Sequence, residues 1–169
     1  MLYYSFRPQC FDFTGAFLQT PVPPDKKIYV RLPPGYVQYE QRPNGTKVEL
    51  VGELGKYQYG LQEASKEFAD FYSNWLIKDD GWTQSWVDSN CYYKMDGGKP
   101  CLLFVYVDDN CCVFPTKASY ESFVTRLHEA GFVFETQGDM TYFLGMNVSY
   151  PAPHEIKLSH STYIVNWRN

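Results

Sequence analysis

Residues 101–115 read CLLFVYVDDNCCVFP, and this stretch decides the architecture. Apolar residues run up to two adjacent aspartates, Asp108 and Asp109, and resume directly after them. The pattern predicts a β-hairpin with paired carboxylates at its tip, with Asp109 or Asn110 in the turn. Val105 and Val107 then alternate in facing with Phe104 and Tyr106. Two carboxylates this close repel each other, and partial burial makes the double charge costlier still. A divalent cation offsets that cost. A third carboxylate, Asp12, lies in a similar strand-like stretch, CFDFTGAF, at 10–17. Three carboxylates delivered by strands make a candidate site for two Mg²⁺ or Mn²⁺ ions and phosphoryl transfer. From the aspartate pair alone, the plainer reading is a polar turn between apolar strands. Asp12 alone reads as a local cap.

Working outward, 3–13 predicts a strand ending near Asp12, followed by a short helix or turn over 14–19. The segment PVPPDKK at 21–27 is a rigid connection, and 28–32 is a short strand stopped by Pro33, Pro34 and Gly35. A polar stretch with the turn former Pro43, Asn44 and Gly45 leads to local pairing over 48–50. Leu61, Ala64, Phe68, Phe71, Tyr72, Trp75 and Leu76 recur at helical spacing and predict a helix over about 62–78, with Gly60 just before it. Tyr92 and Tyr93 pair with the 101–107 run across Asp96, Gly97 and Gly98. Thr116 is placed to cap a helix over 117–129, whose stripe is Tyr120, Phe123, Val124 and Leu127. Further strands are expected over 142–150 and 156–158. The order predicts an α+β fold: a largely antiparallel sheet with helices packed on one face.

The chain has 169 residues, 44% of them apolar and 18% aromatic, which suits one domain with a sizeable core. No apolar run is long enough to span a membrane, and the first ten residues lack a signal-peptide core. Five cysteines without a CxxC pair argue for reduced, mostly buried thiols and an intracellular setting. Cys111 and Cys112 are expected on opposite sheet faces. The formal charge is −4, and Lys26, Lys27 and Arg31 are the nearest approach to a basic patch. A nucleic-acid grip therefore calls for other segments or subunits. His128, His154 and His160 are dispersed and give zinc little support.

The flanking residues are more specific than the aspartate pair. DFTGAFLQT from Asp12, then IYVRLPPGY, is similar to DVKTAFLNG and IYMKQPPGF of copia-type retrotransposon reverse transcriptases. QYGLQEASKEF at 58–68 resembles that group's LYGLKQAPRAW, and GWTQSWVDSNCYYK at 81–94 resembles GF..S..D.CLFYK. YVDD at 106–109, YFLGMNV at 142–148 and IKLSHSTYI at 156–164 follow in the family's order.

This resemblance implies a palm-like fold and RNA-directed DNA polymerase chemistry, with a primer–template of RNA or DNA and a deoxynucleoside triphosphate as partners. Asp12, Asp108 and Asp109 match the metal-binding carboxylates. Phe17, five residues after Asp12, matches the bulky ring that leaves no room for a ribose 2′-hydroxyl. Gly60 and Gln62 match the block beneath the templating base and incoming nucleotide, although Gln62 replaces the family's usual Lys and Glu63 its usual Gln. Tyr106 matches a position beneath the primer end. FETQGD at 134–139 departs from the family's MKDLGE, so Glu135 replaces its usual lysine.

The family also carries fingers before the first motif, and thumb and RNase H parts after the last. Residues 1–169 are therefore expected to form one partial, mainly palm domain, completed by the missing segments or by protein partners. The isolated chain is expected to be inactive or incomplete. A cytoplasmic particle or the nucleus is the location the resemblance implies. Two alternatives stand beside it: a non-catalytic palm-derived structural or interaction subunit, and another two-metal phosphotransferase or nuclease on a similar sheet.

Overall fold

A computed structural model describes Tyr4 and residues 6–160. The first elements are β1 (Gln9–Phe13), α1 (Ala16–Gln19), β2 (Tyr29–Arg31), β3 (Tyr39–Gln41), β4 (Lys47–Glu49) and β5 (Val51–Glu53). Next come α2 (Ala64–Lys78), β6 (Thr83–Gln84), β7 (Cys91–Asp96), β8 (Lys99–Tyr106), β9 (Asp109–Val113) and α3 (Lys117–Glu129). The last are β10 (Phe134–Asp139), β11 (Tyr142–Phe143), β12 (Met146–Ser149) and β13 (Lys157–Ser159). Six strands form an antiparallel sheet in the order β10–β1–β9–β8–β7–β6, with smaller sheets β11–β12–β13, β2–β5 and β3–β4. The fold is α+β.

Strand alternation divides the main sheet into two faces. On one face, Phe11 and Phe13 of β1, Leu103 of β8, Cys112 of β9 and Phe134 of β10 are buried with the stripes of both long helices. Phe68, Tyr72 and Leu76 come from α2, and Phe123 and Leu127 from α3, so both helices pack on this face. Phe13 lies at its centre, with ring centroids 4.8 Å from Tyr72 and 5.2 Å from Phe68, both edge-on. Burying such a side chain is worth roughly 1.5–3 kcal/mol. Each well-placed aromatic pair adds about 0.5–1.5 kcal/mol. On the other face, Cys10 and Cys111 pack against Met140 and Val148. Cys111 and Cys112 thus point to opposite faces, and all five cysteines are free.

Local chemistry fixes the boundaries. Thr116 caps α3 by accepting a 3.1 Å hydrogen bond from the Ser119 amide. Helix α2 begins at Ala64 rather than near Gln62, because the chain before it is a tight turn in which the Leu61 amide donates to the Gln58 carbonyl. Strand β1 begins at Gln9. Pro8, just before it, has no amide to give a ladder, and the expected earlier start at Tyr3 lies outside the described residues. The expected strand over 142–150 is a hairpin, folded back at Leu144 and Gly145, whose φ values are 47° and 83°. The motif over 156–164 is described only to His160, with β13 as its strand.

Asp80 follows α2 and is buried, where it accepts from Trp82 Nε1 at 2.7 Å and pairs with Arg126 and Lys94. These contacts fix the end of α2 against α3 and β7. Among the described residues, no helix is long and apolar enough to cross a membrane.

Candidate active site

The β8–β9 pairing places Tyr106 opposite Asp109, so the turn consists of Val107 and Asp108. This corrects the expectation that Asp109 or Asn110 forms the turn. Asn110 lies within β9, only 1% exposed, and the pairing continues through it to Val105. Val107 adopts φ 54°, a left-handed conformation that β-branched residues strongly disfavour. The Asp108 carbonyl accepts from the Phe13 amide at 3.1 Å and from Asn110 Nδ2 at 2.9 Å. The turn is therefore fastened to the end of β1, the strand that carries Asp12.

Asp12 pairs with Asp109 on one side and with Glu135 of β10 on the other. Cross-strand partners share a face, so three carboxylates lie in a row across β10, β1 and β9, on the side away from the helices. Burial, and then the charges of Asp109, Asp108 and Glu135, raise the Asp12 carboxyl above the usual carboxylate value. Burial also raises Asp108, and Asp109 adds to the effect, while a hydrogen bond from Tyr59 opposes it. Tyr59 donates its hydroxyl to Asp108 Oδ2 at 3.1 Å, and Asp108 Oδ1 is buried without a hydrogen-bond partner.

Among the described residues, no three His, Cys, Asp or Glu side chains are gathered closely enough to hold a metal ion. The donor set nevertheless fits a hard divalent cation. All its atoms are carboxylate oxygens, their charges repel one another, and one buried oxygen lacks a partner.

A family model described as reverse transcriptase (RNA-dependent DNA polymerase) matches residues 7–167. The chain belongs to the reverse transcriptase family. It is also similar to the putative transposon Ty5-1 protein YCL074W of Saccharomyces cerevisiae (strain ATCC 204508 / S288c), at 29% identity over 153 residues. That alignment covers 90% of this chain and 46% of the relative, so the chain spans about half the length of the curated protein it matches. No solved structure matches it. Both similarities agree with the retrotransposon resemblance of the ordered motifs.

The other positions that the reverse transcriptase resemblance singles out are differently placed. Phe17 lies in α1, half-buried, with its ring 4.5 Å from Tyr59 and 6.4 Å from Phe68. Gly60 follows Tyr59 at φ +100°, a conformation that favours glycine. Gln62 is exposed in the turn before α2 and is not joined to the carboxylates. Tyr106 is exposed beside Asp109, and the two line a cavity of about 620 Å³ that extends to Asp139, Tyr142 and Leu144. Asp12 and Asp108 lie outside that lining. The structure thus joins Asp108, whose turn is fastened to the end of β1, to Phe17 through Tyr59.

Sequence reading missed Tyr59 as a site residue, and treated Glu135 as a departure from the family pattern without seeing that it faces Asp12. For Tyr59 the available signal was its place beside Gly60 in the 58–68 block. For Glu135 it was the alternation of 134–139, which becomes legible only once that segment is assigned to a strand.

Proposed function

We propose that this chain forms the palm-type centre of a copia-type retrotransposon reverse transcriptase. It joins a deoxynucleoside triphosphate to a primer 3′-hydroxyl on an RNA or DNA template. The observation that carries this reading is the register of Asp12 opposite Asp109, with the Asp108 turn hydrogen-bonded to the end of β1. Asp12, Asp108 and Asp109 would hold two Mg²⁺ or Mn²⁺ ions, which when bound ease deprotonation of the primer hydroxyl and neutralise the leaving pyrophosphate.

The chain's own residues supply position and selection. Asp12 and Asp109 are set by strands backed by the aromatic core, so their separation is held by the sheet. Phe17 presents its ring five residues beyond Asp12 and excludes a sugar bearing a 2′-hydroxyl. Tyr106 offers an exposed ring beside Asp109 for the primer's terminal sugar or base. Gly60 leaves open backbone where the templating base approaches, and Gln62 offers its amide to the nucleotide. In this reading residues 1–169 are one palm-type portion, with fingers and thumb surfaces contributed by other segments or by protein partners.

The test is calorimetric titration of Mn²⁺ into the chain beside D12N and D108N. The expected result is weak binding in the parent and loss in both variants, followed by primer extension when the remaining segments are supplied. A parent chain that binds no Mn²⁺ overturns the proposed centre and leaves a non-catalytic subunit as the better account.

A further inference from the structure

Two observations on Asp108 belong together. Its backbone is pinned, since its carbonyl accepts from both Phe13 N and Asn110 Nδ2. Only rotation of its side chain can redirect the carboxylate. That carboxylate is bonded through Oδ2 to the Tyr59 hydroxyl, while Oδ1 is buried and unpartnered. The second observation is the ring contact between Tyr59 and Phe17, 4.5 Å between centroids and tilted by 40°. Tyr59 therefore touches both the carboxylate in the turn and the ring placed to select the sugar.

From this contact we infer that Tyr59 is a latch on the metal-free site. Its hydroxyl holds the Asp108 carboxylate out of the Asp12–Asp109 pair, and its ring couples that hold to Phe17. The inference rests on the proposed metal centre and assigns Tyr59 as a positioning residue within it. To join Asp12 and Asp109 in holding a cation, Asp108 would have to give up the Tyr59 hydroxyl, and the Phe17 contact would then be free to change. Linkage requires the converse: whatever draws Phe17 and Tyr59 away from Asp108 must tighten cation binding by the same factor.

The experiment is calorimetric titration of Mn²⁺ into the full chain and into Y59F, Y59A, F17A and the double variant Y59F/F17A. D108N serves as the control for the site, and circular dichroism as the control for folding. Y59F keeps the ring and removes the donor, so Mn²⁺ is expected to bind about fivefold tighter, the effect of losing one modest competing hydrogen bond. Y59A is expected to tighten binding similarly, which keeps the test valid if one variant folds poorly. F17A is expected to tighten binding in the parent and to add nothing in Y59F, because both act through one hydroxyl. A tyrosine that merely supports the fold would weaken binding when removed.

The failures separate cleanly. No Mn²⁺ binding by the parent, or binding indifferent to D108N, overturns the metal centre and the latch with it. Binding that needs Asp108 but is unchanged or weakened in Y59F overturns the latch alone. Additive effects of F17A and Y59F overturn the coupling to Phe17.

Discussion

Replacing Asp12 by Asn is expected to stabilise the metal-free protein at neutral pH. The side chain keeps its shape and loses its charge. Asp12 has a carboxylate opposite it on each neighbouring strand, Asp109 and Glu135. Like charges directly opposite in a sheet cost roughly 0.2–1 kcal/mol per pair. The row is partly open to solvent, and screening trims both terms, so relief of about 0.3–1.5 kcal/mol follows. For a chain of this size that is a rise of about 1–6 °C in the unfolding midpoint.

The sign with pH is fixed by the direction of the shift. The folded Asp12 carboxyl titrates above the unfolded value of 3.8. Its penalty is absent below the unfolded value, grows as pH rises through the folded one, and is complete above it. The advantage of D12N should therefore be full at pH 7.5 and vanish near pH 3.5. Urea unfolding followed by tryptophan fluorescence, in EDTA at low salt, measures it. Saturating Mn²⁺ should reverse the ranking, since a cation at a hundred times its dissociation constant stabilises the parent by about 2.7 kcal/mol. A D12N protein less stable than the parent in EDTA at pH 7.5 would refute the repulsion argument. An advantage that persists at pH 3.5 would refute it as well.

Two further outcomes test the frame around the site. Val107→Gly removes a β-branched residue from φ 54° at the first turn position. It should raise stability by about 1 kcal/mol in urea titrations, net of the entropy that glycine adds to the unfolded chain. Asp80→Asn leaves Arg126 and Lys94 without their buried carboxylate partner. Both cations are about a third exposed, so the loss should cost about 1–3 kcal/mol, read as a lowered midpoint in thermal circular dichroism.

The parts of this fold legible in the sequence are those set by local chemistry. Thr116 and the Tyr120, Phe123, Leu127 stripe define α3 without help from the rest of the chain. Gly97 and Gly98 accept positive φ readily and place the β7–β8 turn. The β8–β9 turn was misplaced because its first position is Val107, which turn preferences argue against. Only the pairing of Tyr106 with Asp109 forces it there. Strand β10 is not legible in the sequence because FETQGD buries little beyond Phe134, and its partner β1 lies more than a hundred residues earlier. The hairpin within 142–149 was hidden by Leu144, an apolar residue in a left-handed turn. Asp12, Asp108 and Asp109 stand out in the sequence because the blocks around them resemble the family's ordered motifs. Tyr59 was missed because its meaning lies in a bond to a residue 49 positions away.

The two faces of the main sheet differ, one burying the aromatic core and the other carrying the carboxylate row. Phe11 and Phe13 alternate with Cys10 and Asp12 along one five-residue strand, so the core and the carboxylate row share a backbone. A one-residue slip of β1 would put Asp12 among the helices and Phe13 in the acidic row, and the edge-on packing of Phe13 against Phe68 and Tyr72 opposes that slip. The aromatic face thereby fixes the register that sets Asp12 opposite Asp109. Truncation there should damage the site through register and stability together. Substitution within the carboxylate row should alter cation binding while leaving the fold in place, or firmer than before.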